Sequence, residues 1–178
     1  MKPSIFIDGE HGTTGLQIRE RLANRDDINI LSLAMEDRRD GTKRREMFST
    51  CDVAILCLPD AAAIEAVQLI EETGNTKCIV IDTSTAHRTD PDWAFGFAEL
   101  DNNQSAKIKS SKRISNPGCY STGAIALLKP LIEAGLMASD FAATINAVSG
   151  YTGGGKQLIA QMEDASNDKH IETSFHLY

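Results

Sequence analysis

The stretch Ser4-Ile5-Phe6-Ile7-Asp8-Gly9-Glu10-His11-Gly12-Thr13-Thr14-Gly15 decides the fold, because an apolar run leads directly into three evenly spaced glycines. The apolar residues predict a buried strand, and residues 16–23 have the spacing of a short helix. Glycines between a strand and a helix let the backbone approach a pyrophosphate at the helix N-terminus. The spacing differs from the commoner G-x-G-x-x-G, so a tight turn without a ligand stays open as a second interpretation.

Apolar runs and helical segments alternate along the rest of the chain, which is typical of a mostly parallel α/β sheet. We expect strands at 28–33, 52–58, 77–82, 113–115 and 142–148, and helices at 61–72, after Gly118 and from Gln157. Residues 36–45 are predicted to be a charged connection, and residues 83–115 a polar, irregular segment that ends in the short strand at 113–115. The pattern predicts a Rossmann-like parallel sheet domain over residues 1–117 and the start of an α+β domain over 118–178.

Composition excludes several classes of protein. The 178 residues carry a net charge of -7, which gives no basic footprint for nucleic acid. The four cysteines are scattered without a C-x-x-C pair, so the sequence predicts neither a metal site nor a disulfide framework. No apolar run approaches the length of a membrane span. We therefore expect a soluble protein of the reducing cytoplasm, with no nucleic-acid or membrane partner.

A single cysteine stands on a turn ahead of a long apolar run, in Asn116-Pro117-Gly118-Cys119-Tyr120. This places the Cys119 thiol at the N-terminus of a helix, where unpaired N–H groups and the helix dipole favour the thiolate. The thiolate is the nucleophilic form, so Cys119 is predicted to be a catalytic nucleophile. The alternative is a buried structural cysteine.

Polar residues follow several of the predicted strands. Glu36, Arg38, Arg39 and the basic residues at 43–45 follow the second strand, and such a run favours a cofactor that carries a 2′-phosphate, NADP over NAD. A solvated charged face is the alternative. Leu58, Pro59 and Ser84 follow later strands at the edge where open α/β sheets bind ligands, although Ser84 could equally cap a loop. Arg88 is a candidate for binding a substrate carboxylate or phosphate, or else a surface arginine.

The segment from Gly150 to Lys156 reads G-x-x-x-x-G-K between a predicted strand and a predicted helix. This is one residue short of a phosphate-binding P-loop, because Gln157 stands where a Ser or Thr hydroxyl would hold magnesium. A nucleotide triphosphatase is therefore a rival hypothesis. The segment comes late in the chain, after four strands already arranged as a nucleotide-binding unit, which disfavours it.

The glycine turn, the segment from Asp82 to Arg88, the Asn116–Tyr120 turn and the Ser149–Lys156 loop occur in one order. Together they resemble the short form of the N-acetyl-γ-glutamyl-phosphate reductases, relatives of the aspartate-semialdehyde dehydrogenases. The resemblance covers essentially all 178 residues, and its most specific element is Asn-Pro-Gly-Cys-Tyr.

The resemblance implies the third step of arginine biosynthesis: NADPH-dependent reduction of N-acetylglutamyl phosphate through a thioester on Cys119. Two alternatives stay open: a reductase that acts on aspartyl phosphate, and a module that binds NADP without catalysis. By the same match, the cofactor contacts are expected at Gly9, Gly12, Thr13, Thr14, Gly15, Arg38, Leu58, Pro59, Ser84, Gly153 and Gly154. The substrate is expected at Arg88, Asn116, Ser149 and Gly150.

Members of this family continue for a sizeable further stretch, and the histidine that serves as their base lies just beyond the position of Tyr178. The resemblance therefore implies that residues 118–178 are an incomplete catalytic and dimerisation domain, and that the full-length protein is a homo-oligomer. Neither His170 nor His176 is expected to replace the missing base.

Overall fold

The computed structural model describes residues 1–173, and this part of the chain contains six strands and six α-helices. In chain order they are β1 (Ser4–Asp8), α1 (Thr13–Leu22), β2 (Asn29–Leu31), α2 (Gly41–Thr50), β3 (Val53–Leu56), α3 (Asp60–Glu72), β4 (Ile79–Asp82), β5 (Ala94–Phe95), α4 (Gln104–Ser110), β6 (Arg113–Ser115), α5 (Cys119–Glu133) and α6 (Gly155–Glu163), with a 3-10 turn at Tyr151–Gly154. His176 lies outside the described residues.

The strands form one parallel sheet in the order β2-β1-β3-β4-β6-β5. The chain moves from β1 to β2 on one side and then returns to β3 on the other side of β1. Open α/β sheets bind ligands beyond the carboxyl ends of the strands at such a reversal. The predicted Rossmann-like α/β fold is confirmed, and its sheet places a binding crevice between the ends of β1 and β3.

The core lies between the sheet and helices α2 and α3. Phe6 of β1 packs edge-to-face on Phe48 of α2, with ring centroids 5.2 Å apart. Helix α3 turns toward the sheet a face made of Ala63, Ala66, Leu69 and Ile70. The small alanines allow the helix to approach closely, whereas the nearby Ile64 remains 46% exposed. This packing fixes the sheet whose edge carries the site.

The structure corrects the predicted connection at residues 36–45, since α2 begins inside it. The Asp40 side chain caps this helix by accepting the N–H groups of Thr42 at 2.8 Å and Lys43 at 3.2 Å. The charged composition hid the helix because one of its charges, on Arg44, is buried together with Phe48. The segment at 83–115, predicted to be irregular apart from its last three residues, also contains β5 and α4.

The predicted strand at 142–148 is wrong, because these residues are irregular and exposed. Val148 is 89% exposed and Ile145 is 57% exposed. A strand forms only where a neighbouring strand pairs with it, and within residues 1–173 no strand pairs with this run. The division of the chain between residues 117 and 118 stays a prediction. None of the helices in the described part of the chain has the length and apolar character to cross a bilayer.

Candidate active site

The turn between β1 and α1 requires glycine at two positions. Gly9 has φ +88, and a Cβ there would overlap the carbonyl oxygen of Cys57 at the end of β3. A Cβ on Gly15 would overlap the carbonyl oxygen of Gly9, so this glycine permits the helix to pack against the turn. The glycines thus keep backbone close to backbone at the sheet reversal and leave the helix N-terminus open.

A cavity of about 470 Å³ lies over this turn. Its volume is in the range of small-molecule and cofactor sites. The sequence-predicted residues that line it are Gly9, Gly12, Arg38, Leu58 and Pro59. Sequence reasoning missed the part of its wall formed by His11, Leu33, Met35 and Lys156, and assigned no contact to Arg39. The basic run at 38–45 signalled Arg39, whereas no sequence signal marked His11 or Leu33.

The two carboxylates in the cavity wall are neutralised within the protein. Arg44 donates to Asp8 Oδ2 through Nε at 3.1 Å and Nη2 at 2.9 Å. Burial raises the pKa of Asp8, although the Arg44 guanidinium opposes this shift. Glu10 pairs with Arg19 and accepts hydrogen bonds from Ser32 Oγ at 3.0 Å and Leu33 N at 3.2 Å. Neither carboxylate is free to repel an anionic ligand at full strength.

Only part of the basic run predicted to hold a 2′-phosphate faces the cavity. Arg38 and Arg39 line it. Arg44 is buried against Asp8 and Glu65, while Lys43 pairs with Asp37 and Arg45 pairs with Glu72. The interpretation of the run as one anion-binding surface is therefore narrowed to its first two arginines.

A third cation reaches the cavity from a distant part of the chain. Lys156, at the start of α6, donates from Nζ to the carbonyl oxygen of His11 at 2.6 Å. The lysine of the near P-loop thus lies over the glycine turn of α1. The P-loop interpretation loses its structural context, because the run before Gly150 is not a strand.

Cys119 is the first residue of α5, and Gly118 is its N-cap. The carbonyl oxygen of Gly118 accepts the N–H of Thr122 at 2.9 Å, which begins the helix at the cysteine. Cys119 is exposed, whereas Cys51 and Cys78 are buried. Burial raises the pKa of Cys57 to about 11. Of the four thiols, Cys119 alone combines exposure with a helix N-terminus.

Arg88, in the segment between β4 and β5, reaches the turn that precedes Cys119. Its Nε donates to the carbonyl oxygen of Asn116 at 3.1 Å, and its Nη2 donates to that of Thr83 at 3.0 Å. A Cβ on Gly118 would lie 2.7 Å from Arg88 Nη1, so the guanidinium rests against this glycine. Ser149 is also brought to the cysteine helix, because Tyr120 OH donates to Ser149 Oγ at 2.8 Å. The predicted substrate residues Arg88, Asn116 and Ser149 therefore surround the start of α5.

Six of the predicted cofactor residues are not among those that line the cavity, namely Thr13, Thr14, Gly15, Ser84, Gly153 and Gly154. The Ser84 hydroxyl is buried and donates to Asp82 Oδ2 at 2.7 Å. Gly153 and Gly154 lie in the 3-10 turn before Lys156, and Gly150 precedes that turn. Their cofactor and substrate roles stay predictions. No cluster of metal-ligating side chains occurs within residues 1–173.

Two family models match the chain. The model for the semialdehyde dehydrogenase NAD binding domain matches residues 4–108, which is more than half of the chain. The chain belongs to the semialdehyde dehydrogenase family. The second model, for the semialdehyde dehydrogenase dimerisation domain, matches residues 119–178. The glycine turn lies in the part of the chain that matches the NAD binding domain, and so do the residues that line the cavity, apart from Lys156.

Curated relatives of this chain include N-acetyl-gamma-glutamyl-phosphate reductases. The protein of that name from Rhizobium meliloti is 56% identical and the one from Brucella anthropi is 57% identical, each over all 178 residues. The chain spans 57% of the length of these relatives. The predicted resemblance to this group of reductases is confirmed.

A solved structure of aspartate semialdehyde dehydrogenase II from Vibrio cholerae has the same fold. It superimposes with a TM-score of 0.64 at 19% identity, over 90% of this chain and 50% of that one. At this identity the match supports the fold, and it carries no information on the substrate.

Proposed function

We propose that this chain is the nucleotide-binding and nucleophile-bearing part of an N-acetyl-γ-glutamyl-phosphate reductase. The reaction would convert N-acetylglutamyl 5-phosphate and NADPH into N-acetylglutamate 5-semialdehyde, phosphate and NADP⁺, as a step of arginine biosynthesis. One observation carries the proposal: the Arg88 guanidinium rests against Gly118, the residue that precedes the exposed Cys119 at the N-terminus of α5. The names of the relatives supply the substrate.

The residues of the cavity fit a dinucleotide that carries a 2′-phosphate. Gly9 and Gly12 expose backbone at the start of α1, where a diphosphate gains from N–H groups and the helix dipole. Arg38 and Arg39 follow β2, where the 2′ position of an adenosine ribose lies in this kind of fold. The carboxylates of Asp8 and Glu10 are engaged internally. This charge balance favours NADPH over NADH.

Cys119 and Arg88 supply the acyl transfer. The Cys119 thiolate attacks the acyl carbon of the substrate, a carbon–sulfur bond forms, and the bond to phosphate breaks. Arg88 is suited to bind the phosphate, since a guanidinium forms paired hydrogen bonds to phosphate oxygens and stabilises the charge on the leaving group. NADPH, when bound, supplies the hydride that reduces the thioester to the aldehyde and releases the thiolate.

The remaining predicted contacts belong to the same proposal. Asn116, Ser149 and Gly150 would line the substrate pocket near Cys119, and Thr13, Thr14, Ser84, Gly153 and Gly154 would contact the cofactor. The match of residues 119–178 to a dimerisation domain supports a homo-oligomer of the full-length protein. The four free thiols support a reducing, cytoplasmic location, since Cys51 and Cys78 lie 3.6 Å apart and share a hydrogen bond rather than a disulfide.

The proposal is tested in the reverse direction, by phosphate-dependent reduction of NADP⁺ with N-acetylglutamate 5-semialdehyde. The assay compares this chain, a version extended at its C-terminus to the length of the relatives, and the Cys119→Ser variant of the extended version. We expect activity in the extended version and its loss in Cys119→Ser. An extended version that is inactive here but active with aspartate semialdehyde would refute the substrate assignment.

A non-catalytic NADP-binding module is separated from an enzyme by thiol reactivity. A catalytic Cys119 should be alkylated much faster at neutral pH than Cys51, Cys57 or Cys78, as followed by mass spectrometry of each site. Equal, slow alkylation at all four thiols would favour the non-catalytic module.

A further inference from the structure

A buried carboxylate at the end of β4 has no part in the reaction described above. Asp82 is fully buried. Its side chain accepts hydrogen bonds from Ser84 N at 3.0 Å, Ser84 Oγ at 2.7 Å and His87 Nδ1 at 2.7 Å. Burying a carboxylate costs free energy unless it is paired and hydrogen-bonded. Within residues 1–173, His87 is the only basic side chain that pairs with Asp82.

The His87 ring is fixed on its edge and on its face. Asp82 holds the Nδ1 edge, where a proton on Nδ1 is donated to the carboxylate oxygen. Trp93 stacks on the face, with ring centroids 4.1 Å apart and an interplanar angle of 14°. His87 and Trp93 are 8% and 7% exposed. The two contacts leave the backbone at residue 87 little freedom to move.

Arg88 is the next residue along the chain, and its guanidinium bridges two carbonyl oxygens, those of Thr83 and Asn116. Asp82 also reaches the cysteine turn through its main chain, since its carbonyl oxygen accepts Asn116 N at 2.7 Å. Asp82 therefore holds the chain at both ends of the Arg88 contact. Its side chain fixes His87, the residue before Arg88, and its carbonyl oxygen fixes Asn116, which accepts a hydrogen bond from Arg88.

We propose that His87 is a positioning residue that, held by Asp82 and Trp93, fixes the backbone from which Arg88 reaches Gly118, the residue before Cys119. The inference rests on the proposed role of Arg88 beside the nucleophile. An arginine side chain has many rotamers, so restricting its backbone and its guanidinium reduces the entropy lost when it binds a phosphate. His87 is buried and acts on the reacting groups through Arg88.

The test measures the electrostatic field at Cys119 without cofactor or substrate. Cys119 is alkylated at low salt with the anion iodoacetate and with neutral iodoacetamide. The ratio is the rate with iodoacetate divided by the rate with iodoacetamide. Both reagents consume the same thiolate, so the ratio reports the positive charge held beside the sulfur rather than the amount of thiolate. Arg88→Gln should lower the ratio about fivefold. Arg25→Gln removes an exposed arginine that pairs with Asp27, and it should leave the ratio unchanged.

The inference itself is tested at His87 with two variants. His87→Phe keeps a ring against Trp93 but removes the donor to Asp82, so the ratio should fall most of the way to the Arg88→Gln value. His87→Asn keeps a side-chain N–H near the position of Nδ1, and it should recover much of the ratio. In an Arg88→Gln background, His87→Phe should cause no further fall, since the two residues act in sequence.

The outcomes separate the inference from the proposed function. If Arg88→Gln leaves the ratio unchanged, the role of Arg88 beside Cys119 and the inference are both refuted. If Arg88→Gln lowers the ratio and His87→Phe does not, only the positioning role is refuted. A further fall in the double variant also refutes it. Thermal melts by circular dichroism check folding; if His87→Phe does not fold, Trp93→Leu replaces it, and an unchanged ratio there refutes the inference.

Discussion

The buried pair of Arg44 and Asp8 allows a quantitative test, because the next residue provides a matched control. Arg44 has 6% of its side chain exposed and donates to both Asp8 and Glu65. Arg45 lies on the same helix with 44% of its side chain exposed and pairs with Glu72. Removing one partner of a buried pair costs about 3–5 kcal/mol, whereas an exposed pair contributes about 0–1 kcal/mol.

We expect Arg44→Met to lower the free energy of unfolding by about 3–5 kcal/mol, a large fraction of the roughly 5–15 kcal/mol typical of a protein. Arg45→Met should lower it by about 1 kcal/mol or less. Most of the loss in Arg44→Met comes from the charge left on Asp8. The double variant Asp8→Asn/Arg44→Met should therefore be more stable than Arg44→Met alone. Urea denaturation followed by circular dichroism measures all four proteins.

The pH dependence of the same variants has a definite sign. Burial raises the pKa of Asp8 in the folded protein, and Arg44 is the largest opposing influence. Without Arg44 the folded protein binds the proton still more tightly than the unfolded chain does, so stability falls as pH rises through the folded pKa. The loss of unfolding free energy in Arg44→Met, relative to the parent protein, should thus be smaller at about pH 5.5 than at about pH 8. Equal losses in Arg44→Met and Arg45→Met, or a deficit that grows at low pH, would contradict the reasoning.

Three further predictions concern the cofactor cavity. Arg38→Gln should weaken NADPH binding about tenfold and leave NADH binding nearly unchanged, in titrations of nicotinamide fluorescence; equal weakening of both would argue against a 2′-phosphate contact. Gly9→Ala should destabilise the fold and abolish binding, because the new Cβ meets the Cys57 carbonyl at a positive φ; Gly41→Ala, which has open space around its Cβ position, should melt like the parent. Lys156→Met should weaken the binding of NADPH and of NADH about equally, by roughly three- to tenfold, because its ammonium lies where the diphosphate shared by both would bind. A loss of binding confined to NADPH would instead place Lys156 at the 2′-phosphate.

Local features of the sequence predicted much of the framework. The first strand, the glycine turn and the start of a helix at Cys119 depend on residues adjacent in the chain, and apolar periodicity identified α3 and β4. Local patterns failed where the outcome depends on partners far away. Helix α2 was not predicted, because Arg44 stands in a charged run that suggests exposure to solvent. In the structure Arg44 is buried and pairs with Asp8 of β1. The apolar run at 142–148 has strand composition but no neighbouring strand among the described residues.

The candidate site divides in the same way. The sequence by itself predicted which residues would carry the chemistry: a glycine turn for a diphosphate, a thiol at a helix N-terminus, and an arginine for an anion. Only the tertiary structure decided which arginines of the basic run face the cavity, that Lys156 reaches His11, and that Arg88 rests against Gly118. The physical reason is that backbone turns and helix starts are set by neighbouring residues, whereas a charge acquires its role from the opposite charge, carbonyl oxygen or open cavity that folding brings beside it.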